Sequence, residues 1–111
     1  PASFWITKGW LRASHRELDA DRSTEMEPYH GHTDPQPIEP GTVYRFDISI
    51  EPMAHRFPEG SRIRLEIVNG DSVVTDVQWM HYYKPDKIGT DTIHHSRQHP
   101  SALVLPVMEG L

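Results

Sequence analysis

The chain of 111 residues contains no cysteine, and this absence narrows the chemistry open to it. Without thiols there are no disulfide bonds, no cysteine nucleophile and no cysteine metal site. Basic residues are also few, since 11 Lys and Arg stand against 16 Asp and Glu, which gives a formal net charge of -5. Binding to a nucleic-acid backbone requires a basic patch, so we expect no nucleic-acid partner.

Long apolar runs and a secretory leader are also missing, so we expect a soluble protein with no membrane partner. The sequence contains no Gly-X-Ser-X-Gly nucleophile elbow, no glycine-rich phosphate loop and no His-Glu-X-X-His zinc motif. It therefore predicts a chain that is not an enzyme on its own and that needs no cofactor.

Two segments in which apolar and polar residues alternate dominate what is present. Residues 44–51 are Tyr-Arg-Phe-Asp-Ile-Ser-Ile-Glu, and residues 62–67 are Arg-Ile-Arg-Leu-Glu-Ile. A period of two is typical of a half-buried strand, because successive side chains point to opposite faces. Pro52 ends the first strand and residues 57–60 predict a turn, so the two segments predict an antiparallel hairpin.

The hairpin cannot be stable alone. Its seven apolar side chains supply on the order of 10–20 kcal/mol if buried. Ordering a whole domain costs on the order of 100 kcal/mol, so the apolar face must pack on a second layer. Further strands are predicted at residues 3–13, 72–78 and 102–107, and together they indicate one domain spanning residues 1–111.

Residues 17–40 carry four prolines and no periodic pattern, which predicts a long loop. Within it His30 and His32 are two residues apart, so both could bind one metal ion with Asp34 in reach. A second histidine group lies near the C-terminus. Loop histidines more often hydrogen-bond than bind metal, so we predict no metal site. The candidates, if one exists, are His30, His32, His94 and His99.

An aromatic patch lies at Trp79, Tyr82 and Tyr83. Buried, the patch would be part of the core, which is the favoured interpretation. Exposed, it would mark a contact surface. It would then be the platform of a module that binds carbohydrate or another ligand.

Three stretches, taken in order, resemble a known family. They are residues 9–16 (Gly-Trp-Leu-Arg-Ala-Ser-His-Arg), residues 40–67 (Pro-Gly through Arg-Ile-Arg-Leu-Glu-Ile) and residues 92–107, with Thr-Ile-His-His, His-Pro-Ser and Leu-Val-Leu-Pro-Val. Their succession and spacing resemble the C-terminal domain of X-Pro dipeptidyl-peptidase and cocaine-esterase-like (CocE/NonD) serine hydrolases. Tyr-His-Gly-His-Thr at residues 29–33 is similar to the loop that the family carries ahead of the hairpin.

The resemblance implies an all-β antiparallel sandwich of jelly-roll type, similar to galactose-binding domains. In the family this domain is attached to an α/β-hydrolase domain that holds a Ser-Asp-His triad. The implied role is to pack on the hydrolase domain, stabilise it and help shape the entrance to its active site. The positions that would then be structural or interdomain are Arg12, Arg16, His55, Gly60, Arg62, Arg64, His94, His99 and Pro100.

The family's jelly roll begins upstream of Gly-Trp-Leu-Arg, so the chain resembles its latter half. Residues 69–89 also lack the family's polar loop with Phe-Pro. We therefore expect a homodimer that shares strands or a sheet face, or otherwise an α/β-hydrolase domain as the partner.

Two alternative functions stay open. One is the ligand-binding module described above. The other is a small cupin-type metal enzyme using His30, His32 and one of the histidines at 94, 95 and 99. The cupin alternative ranks last because cupin metal ligands lie on inward-facing strands, whereas these histidines lie in loop-like sequence.

Overall fold

The computed structural model describes residues 3–70 and 84–109. Regular secondary structure there consists of two 3-10 helices, Ala13–His15 and Pro85–Lys87, and two isolated antiparallel bridges. One bridge pairs Gly9 with Ile50, and the other pairs Leu18 with His30. None of the helices in these residues is long and apolar enough to cross a membrane. The strand predicted at residues 72–78 lies outside the described residues.

Each 3-10 helix is one turn whose sequence explains its ends. Extended backbone at Arg12 precedes the first helix, and the His15 amide donates to the Arg12 carbonyl at 2.8 Å. Pro85 opens the second helix, where its fixed φ and missing N–H cost nothing. The Ile88 amide donates back to the Pro85 carbonyl and closes that turn at 3.4 Å.

Two glycine turns flank the alternating segments. The Thr42 amide donates to the Glu39 carbonyl at 3.2 Å, and the Ser61 amide donates to the Pro58 carbonyl at 3.1 Å. In each turn the third residue is a glycine with φ of 80°, a conformation that side-chain-bearing residues rarely adopt. The second turn therefore spans residues 58–61, one residue later than predicted, because the positive φ of glycine belongs at the third position.

The predicted strands at residues 3–13, 44–51, 62–67 and 102–107 do not form ladders. Only the bridge residues Gly9 and Ile50 within them pair as in a sheet. A strand needs a paired neighbour and a layer against its apolar face. No residue in the described part of the chain is buried, so such a layer is lacking there. The all-β jelly-roll sandwich stays a prediction.

The chain divides into two compact units. The first unit contains Ile6–Ala54 and Leu103–Leu111, and the second contains Pro1–Trp5 and His55–Ala102. Residues 17–40 lie in the first unit and contain no helix, only the bridge residues Leu18 and His30. The expectation of a single domain stays a prediction.

Candidate functional site

Arg16 holds the long loop of the first unit through its guanidinium. This group donates to the carbonyl oxygens of Ala13 at 3.1 Å, Gln36 at 2.9 Å and Pro37 at 3.3 Å. Its central carbon also lies 4.3 Å from the centre of the Tyr44 ring, which is a cation–π contact. A guanidinium offers five donors in a planar fork, so one side chain can serve three carbonyls and still stack on a ring.

His30 joins the loop to the first alternating segment. Its Nε2 lies 2.7 Å from the Asp47 carbonyl oxygen, and its Nδ1 lies 3.2 Å from the Glu17 carbonyl oxygen. A carbonyl oxygen only accepts hydrogen bonds, so both contacts are hydrogen bonds when the ring carries two protons. The neighbouring bridge between Leu18 and His30 fixes the same part of the loop through its backbone.

His32 contacts His15 rather than joining His30. The Nδ1 atoms of His15 and His32 are 2.8 Å apart, whereas the ring centres of His30 and His32 are 6.0 Å apart. In a hydrogen bond one Nδ1 donates and the other accepts, so one of the two rings carries a proton at Nδ1 and the other does not. The φ of His32 is 56°, in the left-handed region that few non-glycine residues adopt. We define the loop anchor as Arg16, Tyr44, His30, His15 and His32.

Two histidines of the loop anchor lie beside a small cavity. A cavity of about 200 Å³ lies beside His15 and His32, and carboxylates of the loop line it. Within residues 3–70 and 84–109 no three His, Asp or Glu side chains are arranged to hold a metal ion. Imidazole binds a metal through an unprotonated nitrogen, whereas both nitrogens of His30 face carbonyl oxygens. These contacts favour hydrogen bonding as the role of His30.

An open groove of about 640 Å³ runs along the same unit, and Trp10, Tyr29 and Glu51 are among the residues that line it. Trp10 exposes 69% of its surface, so this tryptophan is not a core residue. Lys8 lies over the Trp10 ring at 5.7 Å, and Arg22 lies over the Tyr29 ring at 5.1 Å. Cationic side chains therefore cover part of both aromatic surfaces.

Charge pairs lie on the polar side of both alternating segments. Arg45 contacts Asp47 at 2.7 Å, and Arg64 contacts Glu66 at 3.0 Å. The hydrogen bonds that Arg45 donates to the Asp47 carboxylate, and then the negative charge of that carboxylate, raise the pKa of Arg45. In each pair the partners are two residues apart, so their side chains lie on one side of the chain, as the predicted alternation requires.

In the second unit, His55 lies between two aromatic rings. Its ring stacks on Phe4 with centres 5.6 Å apart, and Phe57 meets it edge-on at 4.9 Å. His94 and His99 also meet, with ring centres 5.5 Å apart, across a turn of their own. The Ser101 hydroxyl donates to the His94 carbonyl, and the His99 amide donates to the Ser96 hydroxyl at 3.0 Å. These contacts organise a turn.

The remaining predicted positions are dispersed. Arg12 precedes the first 3-10 helix and lines the groove, Gly60 provides the positive φ of its turn, and Pro100 follows the histidine turn. Arg62 is exposed and Arg64 pairs with Glu66. The predicted ligand platform of Trp79, Tyr82 and Tyr83 lies outside the described residues.

Two members of the loop anchor were missed by the sequence reasoning. His15 is 17 residues from His32, and Tyr44 is 28 residues from Arg16, so neither pair shares a local motif. The only signal is residue type, because arginine and an aromatic ring stack readily.

The family model of the X-Pro dipeptidyl-peptidase C-terminal non-catalytic domain matches residues 3–104. The chain belongs to this family. The resemblance seen in the sequence is thereby confirmed, and the domain is one described as non-catalytic. No curated protein and no solved structure matches the chain significantly. The chain is thus a non-catalytic accessory domain of the type found in X-Pro dipeptidyl-peptidase-like proteins.

Proposed function

We propose that this chain packs on an α/β-hydrolase domain of the serine hydrolase class and stabilises it. The observation that carries this proposal is the exposure of its large apolar side chains. Phe46 and Ile48, on the predicted core face of the first segment, expose 40% and 44% of their surface. Apolar surface of this kind is favourable to bury, at about 25 cal/mol per Å². The surface of a partner domain would cover the apolar side chains that the chain leaves exposed.

The loop anchor supports the same role. Arg16 and His30 use their donors on backbone carbonyls of the same unit. Polar groups committed in this way fix the shape of a loop without taking part in a reaction. In this proposal the hydrolase domain catalyses the reaction, and this chain provides a surface of fixed shape that packs on it.

The test is to add the 111-residue chain to an X-Pro dipeptidyl-peptidase hydrolase domain prepared without its own C-terminal domain. We expect binding by calorimetry, a higher melting temperature of the hydrolase domain and no hydrolysis of an X-Pro amide by the chain alone. Binding stabilises a folded partner in proportion to the logarithm of ligand concentration over Kd. No binding and no rise in melting temperature at a large excess of chain would contradict the proposal.

A matched pair of variants locates the contact. Ile48→Asp places a charge on the predicted core face, and Ser49→Asp places the same charge on the opposite face of the same segment. We expect Ile48→Asp to abolish the rise in melting temperature and Ser49→Asp to retain it. Equal loss with both variants would show that this face is not the contact surface.

A further inference from the structure

The second alternating segment has a charge pattern that complements a second copy of itself running in the opposite direction. Residues 63–67 are Ile-Arg-Leu-Glu-Ile, so a positive and a negative residue lie symmetrically about Leu65. An antiparallel pair of such segments, centred on Leu65, places Arg64 of each chain opposite Glu66 of the other. Ile63 then faces Ile67 of the other chain, and Leu65 faces its own copy. Opposite charges and apolar residues facing each other stabilise antiparallel strands.

The structure leaves this segment open. Ile63 and Leu65 each expose 55% of their surface, and Ile67 exposes 58%. The charged face is open as well, because the side chains of Arg64 and Glu66 are 72% and 63% exposed. Their 3.0 Å contact places both charges on one side of the chain, with Leu65 between them in the sequence. An exposed apolar segment of this kind pairs readily with another strand.

We propose that residues 63–67 pair antiparallel with the same residues of a second copy of the chain, about a two-fold axis at Leu65. Charge complementarity selects this partner and this register. Centring the pair on Arg64 would oppose two arginines, and centring it on Glu66 would oppose two glutamates. A two-fold interface requires that residue i meets j while j meets i, and the Leu65 register meets this condition with opposite charges.

The pairing gives a specific form to the homodimer expected from the sequence. It does not rest on the proposed hydrolase contact, since the Ile48 test concerns the first unit and this segment lies in the second. Either proposal can therefore fail alone.

The first test uses the absence of cysteine, which makes any introduced thiol unique. In the proposed register the residues at position 65 face each other, as disulfide geometry requires. The residues at position 63 lie four positions apart along the strands, about 13 Å, which is beyond the reach of a disulfide. Leu65→Cys and Ile63→Cys are matched because the two side chains are equally exposed in the wild-type chain.

We expect Leu65→Cys to form a covalent dimer in a glutathione redox buffer at micromolar protein concentration. Ile63→Cys should form roughly tenfold less under the same conditions, because its thiols are held apart. Equal cross-linking of the two variants, or none with Leu65→Cys, would overturn the register.

The second test uses charge reversal and sedimentation velocity. Arg64→Glu and Glu66→Arg each place like charges opposite one another twice, so each variant should dimerise about tenfold more weakly than wild type. An equimolar mixture of the two variants should form a heterodimer, because each glutamate then meets an arginine of the other chain. The pair within each chain stays broken in the mixture, so recovery reports the contact between chains.

A wild-type chain that is monomeric at about 100 μM would overturn the proposal, since the Kd of the pair would then lie well above that concentration. A mixture that stays as monomeric as its components would overturn it too. If a single variant loses the circular dichroism spectrum of the wild type, the cysteine pair decides the question.

Discussion

The two alternating segments have the same sequence pattern but differ in how they are held. In the first unit, Phe46 and Ile48 expose 40% and 44% of their surface. In the second unit, Ile63, Leu65 and Ile67 expose 55% to 58%. Both segments carry an ion pair between residues two apart, so the local charge pattern does not explain the difference.

The difference lies in the hydrogen bonds made to each segment from elsewhere in its own unit. His30 reaches the Asp47 carbonyl, and the Glu51 amide donates to the Lys8 carbonyl at 2.9 Å. The Thr7 hydroxyl also donates to the Glu51 carbonyl at 2.8 Å. Among the described contacts of residues 62–68 there is only the Arg64–Glu66 pair. An alternating pattern thus specifies which face is apolar, whereas anchoring requires partners distant in sequence.

Arg16→Ala should have the largest effect on how firmly the first unit is held, and so should most reduce the difference in anchoring between the two segments. It removes hydrogen bonds to three carbonyls and the stack on Tyr44, which together stabilise the loop by about 3 kcal/mol. Exchange of the Gln36 amide, which donates to the Ser14 carbonyl at 2.8 Å, should become roughly a hundredfold faster by NMR. Arg12→Ala is the control, since the Arg12 side chain makes no hydrogen bond within the described residues. Unchanged Gln36 exchange in Arg16→Ala would show that the guanidinium does not anchor the loop.

Gly9→Ala should release the first segment at its bridge to Ile50. An added methyl group would lie 2.9 Å from the Ser49 carbonyl carbon and 3.0 Å from the Ile50 Cα, so the backbones must separate. Overpacking of this kind costs about 2 kcal/mol, which predicts roughly thirtyfold faster exchange of the Glu51 amide. Gly89→Ala is the matched control, because no atom lies within 4 Å of its added methyl group. Equal effects of the two variants would argue against the close approach at Gly9.

Local features could be predicted from the sequence because they depend on residues close together in the chain. The turn predicted at residues 57–60 forms one residue later, with Gly60 at its third position. The ion pairs lie on the predicted polar faces. The family, too, followed from the succession of short motifs, because each motif is a local string.

The loop anchor could not be predicted, because it depends on the path of residues 17–40. The sequence placed His30 and His32 on one side of an extended chain, yet a left-handed backbone at His32 accompanies its contact with His15. Nor could the alternating pattern predict whether these segments pair into ladders. Alternation indicates that a segment can be a strand, but only a paired neighbour makes it one.

His30→Ala should loosen the first unit less than the two changes above. It removes contacts to the Asp47 and Glu17 carbonyls, which at about 1 kcal/mol predict roughly fivefold to tenfold faster exchange of the Asp19 amide. That amide donates to the Tyr29 carbonyl at 2.8 Å beside the bridge. His95→Ala, at an exposed histidine without a described hydrogen bond, should leave it unchanged. A rate equal to wild type in His30→Ala would remove His30 from the loop anchor.

Arg45→Gln should have the smallest effect, and it tests whether ion pairs contribute to the difference between the segments. The Arg45 side chain is 86% exposed, so solvent screens its pair with Asp47 and the melting temperature should stay within error of wild type. The hydrogen bond to Asp47 raises the pKa of Arg45, so the associated stability is present below the unfolded-state pKa and is lost as pH rises through the folded-state pKa. Both values lie in strong alkali, so any difference between variant and wild type should be the same at about pH 6 and about pH 9. Arg56→Gln, at an exposed arginine with no ion pair among the described residues, is the control. A loss of several degrees in melting temperature that is specific to Arg45→Gln and equal at both pH values would mean that the ion pair helps to hold the first segment.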